Sequence, residues 1–204
     1  RVSDRQLAWM DALGKDGALR LAFNTRFLTG ADSRYPELVG ILGGLVGSLA
    51  FMFSGFMVGH SEHTAFIEAM ALLRERVDAR LFILGTGDLE PMIRDRIRER
   101  GLDDAIVLCG FQKNPWKYIA RADVFALSSH YEGFGNVLIE AMACGVPVVA
   151  TASAGTRDII QHDIDGVLVE QHEPAAFSSA LATVLLDPAR RGRMSAAAVQ
   201  AAQR

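Results

Sequence analysis

Two glutamates, Glu132 and Glu140, flank a glycine-containing turn, and they are the residues of this sequence that point most directly to chemistry. The turn contains Gly133, where the absence of a Cβ lets the main chain approach a ligand closely. A helix is predicted to begin just after the turn, and main-chain N–H groups at a helix start bind phosphates or sugar hydroxyls. The residues that would offer these groups are Gly135, Asn136 and Val137.

The spacing of the two carboxylates predicts two different roles. Glu140 follows Asn136 by one helical turn, so its carboxylate would lie beside the turn and could accept hydrogen bonds from a vicinal diol such as a ribose. Glu132 stands at the entrance of the turn, where its charge could meet the positive character that develops on a sugar ring as a leaving group departs. Each glutamate alone would also suit a solvated surface position. Together with the glycine turn and the following Ala-Met-Ala-Cys-Gly-Val-Pro run, they indicate a functional site.

Short apolar runs alternate with helical patterns from residue 59 onward. The runs lack polar alternation, which is typical of strands in a sheet covered on both faces. This alternation predicts right-handed crossover units and an α/β fold with a doubly wound, Rossmann-like parallel sheet, whose ligands bind at the carboxyl ends of the strands. The predicted strands are 79–85, 106–109, 124–127, 147–151 and 166–169, and the predicted helices are 90–100, 114–121, 136–143, 156–161, 174–186 and 188–203.

Residues 1–57 do not follow this alternation and are treated as a separate N-terminal segment of uncertain structure. Within and just beyond them, residues 38–59 carry no charge and are rich in glycine. Their length matches the roughly 20 residues of a membrane-spanning helix, and small residues four apart are typical of membrane helix contacts. Glycine weakens helices in water, however, and residues 50–58 are apolar enough for a buried parallel strand. Both interpretations stay open.

The charge and the cysteines limit the function classes. A net charge of -3 argues against nucleic-acid binding, which needs a basic face to displace counterions from phosphates. Cys109 and Cys144 each lie in an apolar run, which is typical of buried thiols in a reducing compartment. Residues 1–10 have no signal-peptide pattern. We therefore expect a cytoplasmic protein, with the inner face of the membrane as a further location if residues 38–59 insert.

The stretch EGFGNVLIEAMACGVPVVAT (132–151) closely resembles the group 1 glycosyltransferases, a retaining family with the GT-B fold whose hallmark is two glutamates separated by seven residues. The resemblance covers residues 57–187, which would form the nucleotide-sugar-binding donor domain, with 188–204 as a C-terminal helix. Further matching segments, in order, are LFILGTG (81–87), VLCGF (107–111), ADVFALSS (122–129), GTRDII (155–160) and GVLV (166–169).

The resemblance implies transfer of a sugar from a nucleoside-diphosphate donor to a carbohydrate or lipid-linked acceptor, with retention of configuration and without a metal or other cofactor. It assigns Glu132 to the transferred sugar at the reaction centre, as the catalytic residue, and Glu140 to the ribose. At the helix start, Gly135, Asn136 and Val137 would bind the sugar and the diphosphate. Gly110 and Lys113 would belong to a loop that faces the base.

Two departures from the family pattern suggest an alternative. Family members place an arginine and a lysine in a GRLxxxKG stretch, where they offset the charge of the leaving diphosphate, but residues 59–64 read GHSEHT. The acceptor-binding domain that precedes the donor domain does not fit into 57 residues. The alternative function is therefore a non-catalytic or membrane-tethered remnant that keeps a nucleotide-sugar-binding cleft.

Overall fold

A computed structural model describes residues 48–52, 60–129, 135–170 and 173–203; for 48–52 and 60–63 it describes the backbone only. The strands are β1 (Ser48–Met52), β2 (Arg80–Leu84), β3 (Ile106–Leu108), β4 (Val124–Leu127), β5 (Val148–Thr151) and β6 (Gly166–Val169). The helices are α1 (His60–Arg74), α2 (Glu90–Glu99), α3 (Trp116–Ile119), α4 (Asn136–Ala143), α5 (Ala154–Ile159), α6 (Pro174–Leu185) and α7 (Pro188–Ala201).

The strands form one parallel sheet in the order β3-β2-β1-β4-β5-β6. This is the doubly wound arrangement, and it confirms the predicted fold class. The strand order reverses between β1 and β4, which is the point where such sheets bind ligands beyond the carboxyl ends of their strands. The elements that frame this point are therefore the ones that position a site.

The central strand β1 decides between the two interpretations of residues 38–59 at the positions where the structure describes them. Ser48–Met52 pairs in parallel with β2 on one side and with β4 on the other. The prediction of a membrane helix is therefore wrong for these five residues. The sheet also begins before residue 57, which the sequence analysis gave as the start of the donor domain. Among the described helices, none combines the length and apolar character needed to cross a bilayer.

Helices cover both faces of the sheet. This was predicted from the strand sequences, which lack polar alternation. On one face α1 and α6 meet through Phe66 and Phe177, whose rings are edge-to-face with centroids 5.3 Å apart. Such an aromatic pair contributes about 0.5–1.5 kcal/mol beyond its buried area. On the other face α4 contributes buried Leu138 and Met142, and α7 contributes buried Ala198. β4 is therefore packed on both faces, and α4 is packed against one of them.

Two helix starts differ from their predicted positions. Asn114 was expected to cap a helix over 114–121, but α3 is limited to Trp116–Ile119 and has no side-chain cap. Within the described part, the Asn114 Oδ1 atom is buried without a hydrogen-bond partner. In contrast, α5 begins earlier than predicted because Ser153 and Thr156 form a reciprocal capping box.

Gly166 is expected to tolerate no side chain, because β6 passes very close to β5 there. A Cβ at Gly166 would lie 2.6 Å from Val148 Cγ2 and 2.7 Å from the Val148 carbonyl oxygen, and the second contact is backbone. We expect Gly166→Ala to lower the free energy of unfolding by about 1–3 kcal/mol. Gly192→Ala in α7 is the control, since its Cβ would meet nothing within 4 Å and alanine favours a helix by about 1 kcal/mol. Equal melting temperatures for the two variants would contradict this packing.

Candidate functional site

The start of α4 lies where the sequence predicted it, just beyond the carboxyl end of β4. Gly135 is buried and immediately precedes the helix with φ -76° and ψ 63°. Asn136 is exposed and Val137 is buried, so the first turn has one face in the core and one toward solvent. The first N–H groups of a helix have no partner within that helix, and they carry partial positive charge. This helix start can therefore bind an anion at the point where the strand order reverses.

Glu140 lies one turn into α4 and is half-buried, with its carboxylate directed toward α3. The indole Nε1–H of Trp116 donates a hydrogen bond of 3.1 Å to Glu140 Oε2. Burial raises the pKa of Glu140, and the hydrogen bond from Trp116 lowers it in part. A half-buried carboxylate with one held oxygen is suited to accept hydrogen bonds from hydroxyl groups of a ligand.

The predicted loop after β3 also lies at the carboxyl edge of the sheet. Gly110 adopts a φ of 63°, in the region that favours glycine, and its carbonyl accepts a hydrogen bond from the Gly85 N–H. Gln112 Nε2 donates to the Cys109 carbonyl at 2.6 Å. Lys113 is exposed, and α3 follows this loop after only two residues. The loop leads directly into α3, whose first residue, Trp116, is hydrogen-bonded to Glu140.

Glu132 belongs to residues 130–134, which lie outside the described part of the chain. The structure describes what surrounds the two ends of this stretch: Ser129 before it and Gly135 after it. Its predicted catalytic role therefore stays a prediction.

A hydroxyl network at the ends of β4 and β5 was missed by the sequence analysis. The buried Thr151 donates its Oγ1–H to the Ser129 carbonyl at 2.5 Å. The buried Thr156 in turn donates its Oγ1–H to the Thr151 carbonyl at 2.9 Å. The network fixes the point at which the chain leaves β4 toward residues 130–134. The available signal was a threonine, Thr151, at the end of an apolar strand.

Removal of the Thr151 hydroxyl is expected to cost about 1–2 kcal/mol of stability, because the part-buried Ser129 carbonyl would lose its partner. Thr151→Val keeps the shape of the side chain. Thr183→Val is the matched control: the exposed Thr183 Oγ1 donates within α6 to the Ala180 carbonyl, and its loss should change stability by less than about 0.5 kcal/mol. Urea denaturation of both variants measures the difference, and similar midpoints would contradict the role given to this network.

Both cysteines are free, and both are only partly buried, whereas the sequence predicted buried thiols. Burial raises the pKa of Cys144 to about 12, and the charge of Glu140 one turn earlier adds to the effect. Burial also raises the pKa of Cys109. At neutral pH both thiols therefore stay protonated and do not compete with Glu140 as a charged group.

The raised pKa of Glu140 predicts how its replacement changes stability with pH. A carboxyl whose pKa is higher in the folded state stabilises the fold below its ordinary pKa, and this contribution is lost as the pH rises through the folded value. Glu140→Gln keeps an oxygen that can accept from Trp116 and has no such dependence. Relative to the parent, the variant is therefore expected to gain stability as the pH rises from acid to neutral. Denaturant unfolding at a series of pH values measures this, and a difference that does not vary with pH would contradict the burial of a charged Glu140.

Residues 47–201 match the model of the family described as glycosyl transferases group 1. The chain belongs to this family. The group 1 glycosyl transferase relatives include N-acetylgalactosamine-N,N'-diacetylbacillosaminyl-diphospho-undecaprenol 4-alpha-N-acetylgalactosaminyltransferase of Campylobacter jejuni, 40% identical over 61% of this chain and 34% of its own length. A D-inositol 3-phosphate glycosyltransferase of Pseudarthrobacter chlorophenolicus is 35% identical over 77% of this chain and 39% of its own length. The chain thus spans little more than a third of these two relatives.

Solved structures show the same fold. Anabaena HepE in complex with UDP and glucose superimposes with a TM-score of 0.69 at 24% identity, over 78% of this chain and 44% of its own. The C-terminal domain of LpcC, a group 1 family protein from Francisella tularensis, superimposes with a TM-score of 0.67 at 24% identity, over 77% and 84%. The chain therefore has the same fold as this LpcC domain.

Residues 59–64, which contain no lysine or arginine, are part of a much longer stretch without either residue. No lysine or arginine lies between Arg34 and Arg74, and Arg74 is at the far end of α1. The upstream arginines Arg20, Arg26 and Arg34 lie outside the described residues. Among the described residues, no cluster of three histidine, cysteine, aspartate or glutamate side chains could hold a metal ion.

Proposed function

We propose that the protein is a glycosyltransferase that transfers a sugar from a nucleoside-diphosphate sugar to an acceptor with retention of configuration, and that this chain supplies the donor site. The observation that carries the proposal is the position of Glu140. It is half-buried, lies one turn from a helix start at the reversal point of the sheet, and is held by Trp116. Membership of the group 1 family supports the same reaction.

In this proposal each part of the site meets one part of the donor. The main-chain N–H groups at the start of α4 would bind the diphosphate, whose charge they offset together with the helix dipole. Glu140 would accept hydrogen bonds from the ribose hydroxyls, and the loop that contains Gly110 and Lys113 would face the base. Glu132 would lie beside the transferred sugar. We take UDP as the first nucleotide to test, because the HepE complexes contain UDP or UDP-glucose.

Retention follows if the acceptor enters on the face from which the diphosphate leaves. The bond between the anomeric carbon and the phosphate oxygen breaks while a bond to the acceptor oxygen forms, and the acceptor proton passes to the departing diphosphate. Glu132 would stabilise the positive charge on the sugar ring during this exchange. The proposal needs no metal, since main-chain N–H groups provide the positive field.

The configuration of a methyl glycoside tests this mechanism without knowledge of the natural acceptor. The protein is incubated with an α-linked UDP-sugar and methanol, with and without EDTA, and the product is identified by NMR. A methyl α-glycoside formed equally well in EDTA is the expected result. A methyl β-glycoside would contradict retention, and loss of product in EDTA would contradict a metal-free site.

A second candidate function is favoured by the long stretch of sequence without a lysine or arginine. In that case the chain belongs to a non-catalytic or membrane-tethered protein that keeps the donor cleft. Such a protein would bind a nucleoside diphosphate but would release none from a nucleotide sugar. Binding without turnover, measured with an acceptor-binding half present, separates this function from the enzyme.

A further inference from the structure

Trp116 and Glu140 come from different crossovers of the sheet, and their side chains meet at the predicted ribose position. Trp116 is the first residue of α3, in the connection from β3 to β4, whereas Glu140 lies in α4, after β4. Their hydrogen bond measures 3.1 Å and is partly buried. An indole offers one donor and no acceptor, so it can hold one carboxylate oxygen and leaves the other available.

The position of the indole is itself fixed by packing. Trp116 is partly buried against the cluster that contains Ile119 and Leu138, both fully buried. Pro115 precedes it with a φ of -68°, close to the value that its ring imposes. An aromatic donor on a fixed backbone restricts the rotamers of a flexible glutamate, which lowers the entropy that the glutamate loses when a ligand binds.

We propose that Trp116 is a positioning residue, whose indole N–H holds one oxygen of Glu140 so that the other oxygen meets the ribose hydroxyls of a nucleoside diphosphate. This inference rests on the proposed function, because it gives Glu140 the ribose as its ligand. It adds that the preference for ribonucleotides over deoxyribonucleotides depends on Trp116. The side chain acts through Glu140 and makes no contact with the sugar that is transferred.

The test compares how Trp116→Phe changes the affinity for UDP, GDP and ADP and for their 2'-deoxy and 3'-deoxy forms. Phenylalanine keeps an aromatic ring but removes the donor. In the parent, the preferred ribonucleotide is expected to bind at least about tenfold more tightly than its deoxy forms, since each removes a hydroxyl that bonds to a charged group. In Trp116→Phe, affinity for the ribonucleotide should fall roughly tenfold, while affinity for the deoxy forms, each of which keeps one of the two hydroxyls, should fall by only about threefold. Tyr118→Phe, in the same helix, is the control and should leave the ratio unchanged.

The outcomes separate this inference from the function on which it rests. An equal loss for ribonucleotide and deoxyribonucleotide in Trp116→Phe would show a structural role and would overturn the inference alone. A parent that binds none of the three nucleoside diphosphates overturns both the inference and the proposed function.

Tryptophan fluorescence gives a second measurement that does not require Trp116→Phe to fold. The sequence has two tryptophans, Trp9 and Trp116, so a Trp9→Phe variant reports on Trp116 alone. Its emission is expected to change on addition of the nucleoside diphosphate, with the same Kd as calorimetry gives. Unchanged emission at saturation would overturn the contact between Trp116 and the ribose-binding carboxylate.

Discussion

Replacement of Glu140 by glutamine is expected to weaken the binding of a nucleoside diphosphate by about 3 kcal/mol, or roughly 100-fold in Kd. The ribose would donate two hydroxyl hydrogen bonds to a charged carboxylate in the parent and would meet a neutral amide in the variant. Hydrogen bonds to charged groups contribute about 1.5–3 kcal/mol each. The effect should be large because Glu140 is half-buried, where water replaces the lost partner poorly.

The matched control for Glu140→Gln is Glu75→Gln. Glu75 is exposed just after α1, and the substitution changes the same charge by the same chemistry. Isothermal titration with UDP, GDP and ADP measures both variants beside the parent. A Glu140→Gln protein that binds within about twofold of the Glu75→Gln protein would remove Glu140 from the donor site.

Replacement of Glu132 by glutamine is expected to give the opposite pattern, with binding retained and turnover lost. Loss of one group that stabilises transition-state charge commonly lowers kcat by about 10²–10³. Glu132 would meet the ring of the transferred sugar, so UDP alone does not require it. We therefore expect the Kd for UDP to change by less than about threefold, while the release of UDP from a UDP-sugar becomes very slow.

The activity of Glu132→Gln is measured with the acceptor-binding domain present. That domain is supplied by the same chain or by a partner. Parent, Glu132→Gln and Glu140→Gln are compared for kcat and KM. If Glu132 lies at the reaction centre, its variant lowers kcat, whereas the Glu140 variant mainly raises KM. A Glu132→Gln enzyme with a kcat close to that of the parent would contradict the catalytic role.

The sequence predicted most of the sheet because its strands are buried on both faces and therefore lack any polar alternation. Val148 and Val149, for example, are fully buried on opposite sides of the sheet, and the apolar run that contains them was recognised directly. β1 was ambiguous for the same physical reason. A chargeless, glycine-rich run suits a membrane helix as well as a central strand, and only pairing with β2 and β4 distinguishes them.

The site was predicted where its parts are local in sequence, and missed where they are distant. The helix start at Asn136 and the position of Glu140 one turn later follow from helical spacing. The bond from Trp116 to Glu140 joins residues 24 positions apart, and no periodicity encodes such a contact. The link from Thr151 to Ser129 likewise depends on β4 and β5 being neighbours.

The most direct test of the account is calorimetric titration of the unaltered chain with UDP, GDP and ADP in EDTA. The central claim is that the start of α4 and Glu140 form a donor site that needs no metal. The account predicts that one of the three nucleoside diphosphates binds with a Kd of about 1 μM, or roughly -8 kcal/mol, and that the others bind more weakly. If none of the three binds, this surface is not a donor site and the proposed function is contradicted.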